Sequence, residues 1–270
     1  MDFVEHILID KAVVIRCQKY NGSMFDAFEY FYRLWELDKD VKFVSLYKHI
    51  NKDFLSLKYI VDEKCFENFI YKDPYDLKFN KALLLDTHDF YPKNLGLDLK
   101  TNKLYVVSNG NINFGGNVEY FSEYFRNKNY INKIYYKIHR IFEHKDNVYI
   151  NSMDPQDFEF IKLLKKYPNA IIKDPKNNFQ SFKLTNGFSG DFYKYFNKYF
   201  YVKGSKTFDR QPRQFTECAY QGIECFYISS VKNKLANNDN SWPRFQDRFD
   251  FEKRNIKNDI VIDKLLNEKL

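Results

Sequence analysis

Arginine is scarce and unevenly placed in this chain, and its side chain is well suited to binding a phosphate or a carboxylate. Nine arginines occur among the 270 residues, and five of them fall between positions 210 and 254. A planar guanidinium can donate two parallel hydrogen bonds to one phosphate or carboxylate, which a lysine ammonium cannot do. We therefore expect the segment that contains Arg210 and Arg213 to bind an anionic group.

The residues around these arginines predict a strand, a loop, a helix and a second strand. In chain order the pattern is a strand at Tyr199–Val202, a loop with Gly204 and Ser205, then Pro212, a helix over Arg213–Gln221, Gly222 and a strand at Ile223–Ser229. Proline suits the first turn of a helix, and glycine suits its C-terminal end. The free backbone N–H groups at the start of this helix, beside Arg210 and Arg213, predict a diphosphate site.

Glu217 lies one helical turn after Arg213 in the predicted helix. From that position its carboxylate can accept hydrogen bonds from both hydroxyl groups of a ribose. The alternative is that Arg213 and Glu217 form an i,i+4 ion pair on the helix surface, which would contribute little.

A general base for attack by a hydroxyl group is predicted after the strand Lys81–Asp86. Asp86, His88 and Asp89 supply two carboxylates and an imidazole at the carboxyl edge of the sheet, and both groups serve as bases in enzymes. Capping of the next helix is the alternative role for the two aspartates. No distant His or Cys set completes a metal site with these residues, so a divalent cation is expected to be optional.

Two further segments are candidates for contact with a phosphorylated ligand. Gly22 and Ser23 follow the first strand, where glycine permits close approach of a ligand to the backbone; the alternative is an ordinary turn. Arg244 lies in the basic and aromatic segment Ser241–Phe249 and would close over the ligand, or the aromatic residues there pack against a terminal helix. The loop Asn113–Asn117, with two adjacent glycines, either binds an anion, lines the acceptor side or forms a turn.

Strand-like and helix-like segments alternate along the chain, which is typical of α/β units around a parallel sheet. The first half has strands at Ala12–Cys17, Val41–Tyr47, Lys81–Asp86 and Lys103–Ser108, and helices at Met24–Leu37 and from Val118 to Phe142. The alternation starts again near residue 146, with Asn147–Asn151 as the next strand. We therefore predict one lobe over residues 1–145, a second over 146–252, and a C-terminal helix over 253–270 that packs back on the lobes.

The composition indicates a globular protein and gives weak information about its partner. The formal net charge of +7 comes from 43 Lys and Arg against 36 Asp and Glu, but frequent Lys, Asn, Tyr, Phe and Ile are what an AT-rich genome encodes. No apolar run approaches the roughly 20 residues of a membrane helix, and acidic residues interrupt the N-terminus, so we expect a cytoplasmic protein without a membrane partner. The four cysteines lack CxxC spacing, which argues against zinc knuckles and disulfides.

The segment Lys203–Ser229 resembles the nucleotide-sugar site of GT-B glycosyltransferases. The matching residues are Asp209-Arg210-Gln211-Pro212-Arg213, Glu217, Gly222 and the strand that contains Phe226. The resemblance implies an α/β fold of two Rossmann-like lobes that face a central cleft, with the acceptor on the first lobe and the sugar donor on the second. It also implies that Arg210 and Arg213 bind the donor pyrophosphate and that Glu217 binds the ribose.

Within that class the chain is most similar to bacteriophage enzymes that glycosylate hydroxymethylated pyrimidines in DNA. This likeness implies a UDP-sugar donor, double-stranded DNA as a partner, metal-independent chemistry and a location in the host cytoplasm; we expect a monomer. It also implies a catalytic aspartate in the first lobe, for which Asp86 and Asp89 are the candidates and His88 the alternative. Gly22, Ser23, Ser205 and Arg244 complete the predicted donor site.

Two other functions are compatible with the same residues. One is a glycosyltransferase that acts on a saccharide or a small molecule. The other is a non-catalytic nucleic-acid-binding protein whose arginines contact phosphate groups.

Overall fold

The computed structural model divides the chain into two compact units. It describes residues 7–15, 22–46, 52–85, 100–108, 118–122, 138–152, 154, 156–172, 190–203, 213–229 and 260–269. The first lobe comprises Met1–Lys52, Val61–Ile138 and Asn255–Leu270, and the second comprises Asp53–Ile60 and His139–Arg254. Each lobe contains one parallel sheet, so the prediction of an α/β protein with two lobes is confirmed.

The first lobe is built on six parallel strands. They are β1 (Ile7–Ile15), β2 (Lys42–Ser45), β3 (Phe69–Ile70), β4 (Leu77–Leu85), β5 (Lys100–Ser108) and β6 (Val118–Ser122). Their spatial order, β3-β2-β1-β4-β5-β6, is that of the dinucleotide-binding Rossmann fold. The order reverses between β1 and β4, which end side by side because Ile15 pairs with Leu85.

The second lobe is built on four parallel strands. They are β7 (Val148–Ser152), β8 (Ile171–Ile172), β9 (Lys198–Lys203) and β10 (Glu224–Ser229). Their spatial order is β10-β9-β7-β8, so the chain order reverses between β7 and β9. Ser152 at the end of β7 pairs with Val202 near the end of β9. Both lobes are therefore Rossmann-like, and each has a topological switch point at the carboxyl ends of two named strands.

The described residues form five α-helices. They are α1 (Gly22–Leu37), α2 (Lys52–Lys58), α3 (Phe158–Lys166), α4 (Arg213–Gln221) and α5 (Ile260–Asn267). Short 3₁₀ turns cover Glu63–Asn68, Pro74–Asp76 and Gly190–Tyr195. None of the helices in the described part of the chain combines the length and the hydropathy that crossing a bilayer requires.

The core of the first lobe is aliphatic in the sheet and aromatic under α1. Val14, Leu84 and Val106 of β1, β4 and β5 are fully buried in one cluster. Such β-branched and aliphatic runs suit strands that are covered on both faces. Phe31 of α1 packs against Phe43 of β2, with ring centroids 5.4 Å apart. The apolar period predicted this helix, but burial extends beyond that period, since Asp26 and Glu29 of α1 are buried as well.

The C-terminal helix α5 belongs to the first lobe, and polar groups from the sheet bind its last turn. The buried Lys81 of β4 donates to the backbone carbonyls of Leu265 (3.5 Å) and Glu268. The Tyr105 hydroxyl of β5 donates to the Glu268 carboxylate. A cation at the C-terminal end of a helix interacts favourably with its dipole, so Lys81 stabilises the docked helix.

The two faces of the second sheet differ in chemistry. One face is lined by the buried tyrosines Tyr149, Tyr199 and Tyr201, and Phe215 of α4 packs against it. The Tyr149 and Tyr199 rings stack with their centroids 5.2 Å apart. The opposite face combines aliphatic residues with the stacked pair Phe200 and Phe226, and it is covered by α3 through Phe160 and Leu163.

One predicted helix is wrong at both of the ends that the structure describes, because residues 138–142 are not helical either and His139 forms an isolated bridge with Tyr59. The sequence predicted a helix from Val118 to Phe142, whereas Val118–Ser122 is the strand β6, parallel to β5. Val, Tyr and Phe favour strands, and a run rich in aromatic residues satisfies a helical period by chance. Residues 123–137 lie outside the described part of the chain. The predicted strands at 81–86, 103–108, 147–151 and 199–202 are confirmed as β4, β5, β7 and β9.

The compact units divide the chain differently from the boundaries proposed at residues 145 and 252. Residues 53–60, which include most of α2, are grouped with the second lobe although they come from the first quarter of the chain. The sequence did not predict that a segment from the first quarter of the chain belongs to the second lobe.

Candidate functional site

Helix α4 lies where the sequence predicted it, and its C-terminal end shows why. Gly222 follows the helix with φ of 80°, a conformation that favours glycine. The Gly222 N–H donates to the Ala219 carbonyl and the Ile223 N–H to the Cys218 carbonyl, each at 3.0 Å. These two bonds form a Schellman motif, which ends the helix and directs the chain into β10.

The first turn of α4 is attached to the carboxyl end of β7. The side-chain oxygen of Gln214 accepts a hydrogen bond from the Tyr149 hydroxyl at 3.2 Å and one from the Asn151 amide at 3.3 Å. Asn151 is the penultimate residue of β7, one of the two strands at the switch point of the second lobe. The N-terminus of α4 is therefore placed at that switch point, as the predicted diphosphate site requires.

Arg213 and Glu217 meet as the spacing predicts, but they are buried. Arg213 Nε donates to Glu217 Oε1 at 2.6 Å, and the two residues are only 5% and 4% exposed. The alternative of an i,i+4 pair on the helix surface is therefore wrong in its location. A buried pair is not screened by solvent, so each charge strongly affects the other.

A lysine from the first quarter of the chain joins this pair. Lys58, the last residue of α2, donates from Nζ to the same Glu217 oxygen, Oε1, at 2.5 Å, and it is 3% exposed. Two cations thus converge on one carboxylate oxygen. A sequence signal for Lys58 is its place three residues after the apolar Leu55 and directly before Tyr59, and both of these neighbours are buried in the structure.

Two tyrosine hydroxyl groups complete what we call the Glu217 cluster, which consists of Lys58, Tyr59, Tyr193, Arg213 and Glu217. Tyr193 donates to Glu217 Oε2, and Arg213 Nη2 donates to the Tyr59 hydroxyl at 2.9 Å. Protein donors therefore occupy both oxygens of the Glu217 carboxylate. The binding of ribose by Glu217, implied by the resemblance, stays a prediction.

The cluster keeps Glu217 ionised. Burial alone would raise the pKa of this carboxyl, but the charges of Lys58 and Arg213 outweigh burial and lower the pKa from 4.5 to about 2. Burial raises the pKa of Tyr193 well above its ordinary value, and the neighbouring Glu217 charge acts in the same direction. The phenol therefore stays protonated and remains a donor to the carboxylate.

The segments that contribute Lys58 and Tyr59 are attached to the C-terminal end of α4. The Gln221 side chain donates to the Arg140 carbonyl at 2.5 Å and accepts from the Phe142 N–H at 3.0 Å. The Arg140 N–H in turn donates to the Lys58 carbonyl at 2.9 Å. Lys58 is thus held by its backbone as well as by its ammonium group.

The structure places some of the other predicted site residues and not others. Gly22 and Ser23 are the first two residues of α1, directly after the segment that follows β1. The three base candidates lie outside the described residues, and so do the other donor-site candidates and two loops. The base candidates are Asp86, His88 and Asp89, the donor-site candidates are Ser205, Arg210 and Arg244, and the loops are Asn113–Asn117 and Ser241–Phe249. Their roles stay predictions.

No group of three or more His, Cys, Asp or Glu side chains within the described ranges is placed to hold a metal ion. The buried carboxylate of Glu217 is engaged by cations of the protein itself. In comparisons with protein-family models, curated proteins and solved structures, nothing matches this chain.

Proposed function

We propose that the protein is a glycosyltransferase that takes a sugar from a nucleotide-sugar donor, with the donor diphosphate bound at the N-terminus of α4. The observation that supports this most directly is the attachment of the first turn of α4, through Gln214, to the end of β7 at the switch point of a Rossmann-like lobe. Ligands of open α/β sheets bind outside the carboxyl ends of the strands at such points. A helix N-terminus there supplies free N–H groups and a favourable dipole for phosphate.

Two side chains beside that turn support the same assignment. The Arg213 guanidinium is held in a fixed orientation by Glu217 and Tyr59, so its charge is placed in the first turn without loss of side-chain freedom on binding. Asn151 is buried and its side-chain oxygen has no hydrogen-bond partner in the described part of the chain. Buried acceptors are normally satisfied, so a ligand hydroxyl or a water is expected to donate there.

The proposed reaction is displacement at the anomeric carbon of the donor sugar. A carboxylate or imidazole takes the proton of the acceptor hydroxyl, the hydroxyl oxygen bonds to the anomeric carbon, and the nucleoside diphosphate leaves with the electrons of its C–O bond. We assign the base to Asp86 or Asp89, with His88 as the alternative, because these residues directly follow β4 at the switch point of the first lobe. The positive end of α4 and Arg213 would stabilise the leaving diphosphate.

A thermal-shift series at fixed ionic strength tests the donor site. Uridine, UMP, UDP and UDP-sugars are compared, together with the other nucleoside diphosphates. UDP at 100 times its Kd is expected to stabilise the protein by about 2.7 kcal/mol, and uridine at the same concentration by much less, because the diphosphate is the group recognised. Arg213→Lys should reduce the UDP effect, whereas Lys162→Met on the exposed face of α3 should not.

Two results would contradict the proposal. One is the absence of stabilisation by every nucleotide and nucleotide sugar at millimolar concentration. The other is salt-dependent binding of DNA by a protein that binds no nucleotide or nucleotide sugar, which would favour the non-catalytic nucleic-acid-binding protein. With a donor identified, transfer to hydroxymethylated DNA, to saccharides and to small hydroxyl compounds can be compared directly to find the acceptor.

A further inference from the structure

Arg213 is oriented by Glu217, and Glu217 in turn is oriented by groups from other parts of the second lobe. Its Oε1 receives the Lys58 ammonium at 2.5 Å and the Arg213 Nε at 2.6 Å. Its Oε2 receives the Tyr193 hydroxyl. Because Lys58 and Arg213 share one oxygen, a displacement of the carboxylate away from Lys58 also changes the position of the guanidinium.

We propose that Lys58 is a positioning residue of the donor site, which acts through the Glu217 carboxylate to hold the Arg213 guanidinium in place for the diphosphate. The inference rests on the proposed function, because it assigns to Lys58 a role in donor binding. It gives Glu217 the role of a shared counter-ion. Neither role follows from the spacing of residues along the chain.

Burial explains why a lysine is needed at this position. A carboxylate removed from water is strongly disfavoured unless cations and hydrogen-bond donors surround it. Glu217 is 4% exposed, and the Lys58 charge is the largest of the influences that favour its ionised form. Without Lys58 the carboxyl would protonate more readily, and a neutral carboxyl would hold Arg213 less firmly.

The groups that face Glu217 come from three elements and from the segment that precedes β7. Lys58 comes from α2, Arg213 from one turn earlier on α4, and Tyr193 from the 3₁₀ turn Gly190–Tyr195. The charge of the buried His139 also lowers the pKa of Glu217. The His139 ring packs against Tyr59 and Tyr220, with ring centroids 4.8 and 5.2 Å away. Cys218, the next residue on α4, has a thiol whose pKa burial raises well above its ordinary value, so it is uncharged.

A purely structural role for Lys58 makes a different prediction. If Lys58 only attached α2 to α4, its replacement would weaken ligand binding by the same factor at every pH. If it acts through the charge of Glu217, the loss of affinity must grow as the pH falls, because Glu217 without Lys58 protonates at a higher pH.

The experiment measures UDP affinity by calorimetry between pH 4.5 and 7.5 at constant ionic strength, for the wild-type protein, Lys58→Met and Lys58→Arg. At each pH the Kd of a variant is divided by the Kd of the wild-type protein, which removes the effect of the titration of UDP itself. Lys58→Met is expected to bind about tenfold more weakly at pH 7.5, equivalent to the loss of one charge-assisted hydrogen bond. The ratio of its Kd to that of the wild type should increase further toward pH 4.5, and Lys58→Arg should keep the wild-type pH profile. Lys162→Met, which removes an exposed lysine, is the matched control.

Three outcomes overturn the proposal. The first is that Lys58→Met binds UDP as tightly as wild type, and the second is that it binds more weakly by a factor that does not depend on pH; in both cases the wild-type protein still binds, and only the role of Lys58 fails. If wild-type protein binds no nucleotide, the proposed function itself fails and the role of Lys58 with it. If Lys58→Met does not fold, Lys58→Gln, which keeps a donor toward Oε1 without the charge, must show the same pH dependence.

Discussion

Each lobe contains its own parallel sheet with a switch point, yet the two lobes are stabilised by different interactions. In the first lobe the centre of the sheet is aliphatic, with Val14, Leu84 and Val106 fully buried. In the second lobe one face of the sheet is lined by tyrosines, and beside it two cations share a buried carboxylate. Apolar burial is insensitive to pH, whereas the Glu217 cluster depends on the ionisation of each member.

This difference bears on the role that we propose for the Glu217 cluster. Replacing a buried ion pair by apolar residues of similar volume often leaves stability unchanged or improves it, so such a pair is a poor source of stability. An aliphatic interior like that of the first lobe would serve the second lobe as well if packing were the only requirement. The Glu217 cluster at α4 is better explained by the fixed orientation that it gives to Arg213.

Removal of the shared carboxylate should have the largest effect and should be confined to the second lobe. Glu217→Ala leaves the Lys58 and Arg213 charges buried without their counter-ion, which is expected to cost about 3 to 5 kcal/mol. Hydrogen exchange followed by mass spectrometry should show faster exchange in β7 and β9, with β1 and β4 unchanged. In Leu84→Ala the pattern should be reversed. Glu159→Ala, which breaks a partly exposed pair on α3, should change exchange little in either lobe.

Acid should destabilise the second lobe more than the first, with an effect somewhat smaller than that of Glu217→Ala. The folded-state pKa of Glu217 is about 2 against 4.5 for an ordinary glutamate, so its contribution, about 3 kcal/mol, is complete above pH 4.5 and is lost as the pH falls toward 2. In the first lobe, burial raises the pKa of Asp38, but the hydrogen bond from Lys11 outweighs burial and the pKa is lowered. This pair is partly exposed and therefore screened by solvent. Exchange measured at pH 5 and pH 3, corrected for the intrinsic exchange rate at each pH, should therefore show a larger loss of protection in β7 and β9 than in β1 and β4. Equal losses of protection would contradict the comparison.

The end of α4 should contribute the smallest effect. A Cβ atom at Gly222 would meet no atom of the described residues within 4 Å, so the expected cost of Gly222→Ala is backbone strain at φ of 80°, about 1 kcal/mol. Gly222→Asn should cost less, because asparagine tolerates this conformation better. Thermal denaturation of the two variants distinguishes them. A larger loss for asparagine than for alanine would contradict this explanation.

The sequence predicted those parts of the fold that depend on local patterns. Helix α4 and its end at Gly222 follow from turn chemistry, and β4, β5, β7 and β9 follow from short apolar and β-branched runs. It failed at β6, where the aromatic residues of Val118–Ser122 satisfied a helical period while pairing with β5 decided the structure.

The candidate site was predicted only where its residues are close in sequence. Arg213 and Glu217 share one helix, so their contact follows from a spacing of four. Their burial does not, because it depends on residues 53–60 and 190–195 packing against α4. Lys58 is 159 positions away from Glu217, and no local pattern relates the two.

That separation has a consequence for synthesis of the protein on the ribosome. Lys58 is made long before its counter-ion, and at about 5–20 residues per second the 159 positions from Lys58 to Glu217 take roughly 10 to 30 s. During that interval the nascent chain holds a lysine that must stay hydrated, so α2 cannot adopt its final buried position until α4 has emerged. The second lobe therefore completes folding late in translation, with a segment that left the ribosome among the first.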